Sequence, residues 1–122
     1  MIDHVILNVQ DYRASRDFYA PTLAALGFEV VMEFDDGAAF GHGGKPEFWI
    51  AQREPVSGGT HVAFHVDVRT DVDAFHAAAL AAGGRDHGAP GVREHYHPSY
   101  YGAFVLDPDG NNIEAVCHEP PA

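Results

Sequence analysis

His4-Val5-Ile6-Leu7-Asn8-Val9 near the start of the chain and His61-Val62-Ala63-Phe64-His65-Val66 near its middle are two versions of one pattern. Each opens on a histidine, alternates with period two, and runs into a helical segment, which is how a half-buried strand feeding a helix reads. In the first strand, residues 2–10, the aliphatic row is Val5, Leu7 and Val9, leaving His4, Ile6, Asn8 and Gln10 on the other side. In the second, residues 60–68, Val62, Phe64 and Val66 form the packing row, and His61, Ala63 and His65 face the opposite way.

Working outward, Asp11 caps a helix over residues 12–26, with Phe18, Tyr19, Leu23 and Leu26 on one stripe, Pro21 as a kink and Gly27 at its end. Three short strands follow at 29–34, 38–41 and 47–52, separated by Asp35-Asp36-Gly37 and by Gly43-Gly44-Lys45-Pro46. After Ser57-Gly58-Gly59 the order restarts. Thr70 or Asp71 caps a helix over 72–82 closed by Gly83-Gly84, and a loop carries Gly88, Pro90 and Gly91. Strands at 101–106 and 111–117 flank the turn Asp107-Pro108-Asp109-Gly110. The expected fold class is therefore α+β, a single domain over 1–122 made of paired βαβββ modules at 1–56 and 60–119. Neither half can bury its sheet alone, so the two pair, their mixed sheets curving into a partly closed cup with helices outside.

At 122 residues, 46% hydrophobic and 20% charged, the chain has the composition of one folded domain with a real core. Eighteen acids against seven bases, a formal charge of −11, repel phosphate backbones and anionic lipid, so no nucleic acid and no membrane partner is expected. No apolar run is long enough to span a bilayer. No leader is read at the N-terminus and Cys117 has no internal disulfide partner, so a cytoplasmic location is the expectation.

Strand parity brings the chemically interesting side chains to one side. His4 and Asn8 leave the packing row of the first strand, and His61 and His65 that of the second. In the last strand Ile113, Ala115 and Cys117 pack, so Glu114 faces the cup. Two imidazoles and a carboxylate, His4, His61 and Glu114, suit one divalent ion among Zn, Fe, Mn, Ni and Co, and three protein ligands leave positions open for water and substrate. A divalent ion also removes most of the cost of burying a carboxylate. The loop His95-Tyr96-His97-Pro98-Ser99-Tyr100-Tyr101 can supply acid–base and hydrogen-bond groups over the cup. Glu114, His97 and Tyr101 are the candidate catalytic residues. Trp49 as an apolar wall, His65, Arg93 for an anionic group and Tyr100 are the candidate contacts to a small-molecule substrate.

Asp3-His4-Val5 with the Phe18-Tyr19 helix, Thr60-His61-Val62-Ala63-Phe64, and Phe104-Val105-Leu106-Asp107-Pro108-Asp109-Gly110-Asn111-Asn112-Ile113-Glu114 together resemble the vicinal oxygen chelate superfamily, over nearly the whole chain. That group contains glyoxalase I, the bleomycin- and fosfomycin-resistance proteins and the extradiol dioxygenases. The resemblance implies paired βαβββ modules, a divalent ion in the cup, and His4, His61 and Glu114 as its ligands. A fourth ligand, as in glyoxalase I, would fall on Glu47-Phe48-Trp49-Ile50-Ala51-Gln52, where Trp49 or Ala51 stands opposite Glu114 and neither binds metal. Three functions stay open: lyase or isomerase chemistry on a substrate chelating the metal through vicinal oxygens, Fe(II) extradiol-type ring cleavage, and metal-free ligand binding of the bleomycin-resistance kind. The modules can pair within a chain or between chains, and a homodimer is expected.

Overall fold

A computed structural model describes residues 1–121, so Ala122, the last residue of the expected domain, lies outside the described residues. The elements are β1 (Val5–Val9), α1 (Tyr12–Ala24), β2 (Glu29–Glu33), β3 (Gly37–His42), β4 (Lys45–Gln52), β5 (His61–His65), α2 (Arg69–Ala81), β6 (Arg85–Val92), β7 (Tyr101–Leu106) and β8 (Asn112–Cys117). This is βαβββ written twice. Each unit forms its own four-stranded mixed sheet, ordered β1-β4-β3-β2 and β5-β8-β7-β6. Strands β1 and β4, and likewise β5 and β8, run parallel; the remaining pairs are antiparallel. Among the described residues no strand pairing joins the sheets, and β1 and β5 are both edges.

The local chemistry explains most boundaries. Asp11 is extended and its carboxylate accepts from the Ala14 amide at 3.2 Å, so α1 begins on a capped turn. Gly27 takes φ 83°, and the Phe28 amide returns to the Leu23 carbonyl at 3.0 Å, closing the helix. Helix α2 starts earlier than its polar residues suggest. Val68 is the cap, with no side-chain bond, and Asp71 sits in the first turn, where its charge complements the helix dipole. The expected loop around Gly88, Pro90 and Gly91 is strand β6. It pairs only with β7, and its register breaks on both sides of Gly88, an edge position where proline and glycine cost little.

The alternation does what its period requires. Leu7 and Val9 are buried and face the same side as their β4 neighbours Phe48 and Ile50, while Ile6 is exposed. In the second sheet Val62 pairs with Ile113 and Phe64 with Ala115 on the packing side. These two apolar rows meet. The rings of Phe48 and Phe64 lie 5.4 Å apart, Phe28 and Phe64 5.5 Å, and Tyr19 packs on Phe48 at 5.1 Å, in one core cluster drawn from both halves. Helix α1 reaches the second half at Gly84, where a Cβ would stand 2.5 Å from Phe18 Cε1 and 2.9 Å from the Ala79 carbonyl oxygen.

A buried polar knot ties the halves as well. The Tyr19 hydroxyl donates to Asp107, whose carboxylate also accepts from the amides of Asp109 and Asn111. The Asn111 side chain donates to the Ser57 carbonyl at 3.0 Å and accepts from the Thr60 amide at 3.0 Å, pinning the linker. The apolar rows of both sheets and the two helices share one core, and each sheet keeps its other face free of helices.

Candidate metal and substrate site

The open face of the second sheet is set by register. Ala63 of β5 and Phe104 of β7 flank Glu114 of β8, with Gly102 beside Val116 one step along. Glu114 is 1% exposed, at the centre of this face. Its Oε1 lies 2.8 Å from Nε2 of His61, whose side chain is half exposed. Its Oε2 accepts from the Tyr100 hydroxyl. Burial, and then the hydrogen bond and charge of Glu114, push the Tyr100 phenol well above its ordinary value, so it stands as a protonated donor. Gly102 is the residue that sequence reasoning passes over. A Cβ there would meet Tyr100 Cε1 at 3.2 Å and Glu114 Oε2 at 3.3 Å, so the glycine makes room for the pair.

The remaining expected groups divide between the faces. His97 reaches over the sheet, its Nε2 2.8 Å from Nδ1 of His118, and His65 stacks on His118 with ring centroids 5.7 Å apart. Arg93 lies over the Phe104 ring at 5.4 Å, with its guanidinium donating to the Gly91 and Ala89 carbonyls. Tyr101 does not reach Glu114. It pairs with Cys117 of the packing row and donates to Asp73 of α2, with Arg69 above its ring, so Tyr100 takes the place expected for Tyr101.

Trp49 is on the open face of the first sheet. It pairs with Ile6 as Glu114 pairs with Ala63, so it occupies the equivalent place, and it stacks on Phe34 at 6.4 Å. His4 just precedes β1 and is bonded through Nδ1 to Asp3 at 2.7 Å; that bond holds the Asp3 carboxyl below its usual range. The chain thus brings His61 and Glu114 together and leaves His4 on the other half. An open cleft of about 600 Å³ lies between, with Val5, Phe28, Phe48, Val62 and Phe64 among its walls. Among the described residues no three His, Cys, Asp or Glu side chains converge to hold a metal ion. His61 and Glu114 still make a fitting pair of donors, because their 2.8 Å separation suits adjacent ligands on an ion bonded at about 2.0–2.2 Å.

Comparison with known proteins agrees with this architecture. A crystal structure of a glyoxalase/bleomycin resistance protein from Albidiferax ferrireducens shares 30% identity, with 96% of this chain and 98% of that one covered and a TM-score of 0.85. A glyoxalase/bleomycin resistance protein/dioxygenase family enzyme from Burkholderia phytofirmans (22% identity, 96% and 98% covered, TM-score 0.72) shares the fold. So does a lactoylglutathione lyase from Agrobacterium tumefaciens (19%, 95% and 92%, 0.68). Curated proteins give no match. The family model of the Glyoxalase/Bleomycin resistance protein/Dioxygenase superfamily matches residues 1–115, and with the paired βαβββ sheets this establishes that the chain belongs to that superfamily.

Proposed function

We propose that this chain is a divalent-metal-dependent enzyme. Its substrate is a small molecule that chelates the ion through two neighbouring oxygens, and the chemistry is of the lyase or isomerase kind. The observation that carries this reading is the His61–Glu114 pair, an imidazole nitrogen 2.8 Å from a buried carboxylate oxygen on an open sheet face. His61 and Glu114 hold the ion, with His4 as the third donor. When bound, such an ion polarises the substrate oxygens and favours the charge of a developing enolate. Tyr100 supplies a proton-bearing hydroxyl that can turn from Glu114 Oε2 to a substrate oxygen, and Glu114 is then free to accept a proton from carbon. Ala63 and Phe104 flank this point on the neighbouring strands.

The third donor comes from a second copy. His4 and His61 stand at the starts of β1 and β5, both uncovered edges, so laying β1 of one copy beside β5 of another brings the two imidazoles to one cup. Ile6, Met32 and Phe34, exposed on the open side of the first sheet, are the apolar surface that such pairing covers.

Metal content by elemental analysis, thermal stability across Zn, Fe, Mn, Ni and Co, and mass by sedimentation test this together. The expected result is one ion per chain in a dimer, with binding lost in His4→Ala, His61→Ala and Glu114→Gln. Stoichiometric binding retained in both His61→Ala and Glu114→Gln defeats it. Two other readings each have one observation behind them. Trp49 in the place of a fourth ligand leaves a two-histidine, one-carboxylate set, the set of non-haem Fe(II) oxygenases, and oxygen uptake with catechols after anaerobic iron loading identifies that chemistry. Glu114 is satisfied by His61 and Tyr100 alone, as in a metal-free binder; unchanged stability with every ion identifies that one.

A further inference from the structure

We propose that Arg93 binds an anion and that the substrate is a small carboxylic acid, its acid group on Arg93 two strand spacings, about 10 Å, from Glu114. This rests on the proposed function for one thing, that the chelating oxygens lie at His61 and Glu114.

Strand β6 carries Gly88-Ala89-Pro90-Gly91, a run that strand propensity disfavours. In its ladder with β7, Gly88 stands opposite Phe104 and Gly91 opposite Gly102, so Ala89 and Pro90 together face the single residue Ala103. That is a bulge, which re-aims the groups it carries. Here two of its carbonyls meet one guanidinium. Arg93, just past the strand, turns back and donates from Nη2 to the Ala89 carbonyl at 2.8 Å and from Nη1 to the Gly91 carbonyl at 3.0 Å. The glycines leave the room for it. A Cβ on Gly91 would stand 3.1 Å from Nη1, and one on Gly88 would stand 3.1 Å from Nη2 and 2.8 Å from Cδ1 of Phe104. The Phe104 ring closes the cradle, its centroid 5.4 Å from the guanidinium carbon.

The cradle orients the charge without neutralising it. Its members are two uncharged carbonyls and a ring. Among the described residues no carboxylate is paired with Arg93, although the chain has 18 acids against seven bases. A guanidinium has five N–H donors and two are engaged, so donors remain for an incoming acid. The charge also stands on the right face. Phe104 lies opposite Glu114 in the ladder, with its ring centroid 6.0 Å from that of His61. Arg93 partly offsets the rise in the Tyr100 phenol, so its field reaches the hydroxyl bonded to Glu114. Glu114, Phe104 and Gly88 are successive cross-strand neighbours, and they set the length between the two ends of the substrate. One guanidinium in a chain of charge −11 matches one negative charge better than two, which selects a carboxylate over a phosphate dianion.

Calorimetry with dihydrocaffeate, a catechol bearing a propionate arm, and with its methyl ester tests this, each with and without zinc. Both probes offer two neighbouring oxygens, and only the acid offers an anion. A chain of charge −11 repels anions in general, so a preference for the acid marks a local cation. The intact chain should bind the acid about tenfold to a hundredfold more tightly than the ester, the scale of a charged hydrogen bond. Arg93→Gln should abolish the preference and Arg85→Gln, at the exposed start of β6, should keep it, with far-UV circular dichroism confirming that both are folded. Zinc should strengthen both probes alike. Equal affinity for the two probes in the intact chain, or a preference that survives Arg93→Gln or disappears in Arg85→Gln, overturns the assignment even where zinc strengthens binding. A preference that depends on Arg93 with no zinc effect on either probe upholds the anion site and defeats the metal reading instead.

Discussion

Two carboxylates show how placement sets the sign of a pH effect. Asp109 lies in the tight turn, where burial, Asp107 and Asp11 raise its pKa against a partial offset from the Gln10 amide, which donates to it at 3.4 Å. A folded value above the unfolded one means that the ionised group opposes folding at neutral pH, an effect that vanishes below the ordinary aspartate range where both states are protonated. Asp109→Asn should therefore raise Tm at pH 7 and leave it unchanged near pH 3, checked by thermal melts at both. Glu33 is the reverse case. Arg16 and then Tyr12 hold its carboxyl low, so its contribution is present above the usual glutamate range and is lost as pH falls through the depressed value. At this scale parity was legible and reach was not. Glu114 follows from its place between Ile113 and Ala115. The exchange of Tyr101 for Tyr100 was open to the same reasoning, since Tyr100 lies in the row of Gly102 and Phe104, opposite Glu114. The bonds from His4 to Asp3 and from His97 to His118 have no periodic signal at all.

Elements were readable where an apolar period continued past its polar punctuation, and unreadable where neighbours override local preference. Strand β6 contains Gly88, Pro90 and Gly91, which read as breakers; it is a strand because β7 offers a partner on one side only and makes few demands on it. Helix α2 begins on Val68 with no side-chain cap, and packing of Val72, Phe75 and Ala79 supplies what the cap does not. Gly84, just past the end of that helix, lies against Phe18 of α1. Gly84→Ala places a methyl 2.5 Å from the Phe18 ring and 2.9 Å from a carbonyl, so it should cost about 1–3 kcal/mol, measured by urea unfolding.

For the whole molecule the doubled βαβββ order was plain from the repeated His-led strands, and so was the need for the halves to cover each other. How they do so was not. The packing rows meet inside one chain through Phe28, Phe48 and Phe64, rings from opposite halves that no local period brings together. The Tyr19–Asp107 bond crosses the same junction. Tyr19→Phe removes one donor from a buried carboxylate and should cost about 1.5–3 kcal/mol, measured by denaturant titration. Far- and near-UV transitions that still coincide show the halves melting together; separate transitions mean that this knot, rather than the shared rings, joins them.

The chain has a single tryptophan, and it is Trp49, half-covered on the first sheet's outward surface against Phe34. Indole emission is therefore a label-free reporter on the surface that the proposed pairing of two copies would cover. A blue shift or quench on titration announces occupancy of that surface, while events confined to the interior leave the spectrum quiet.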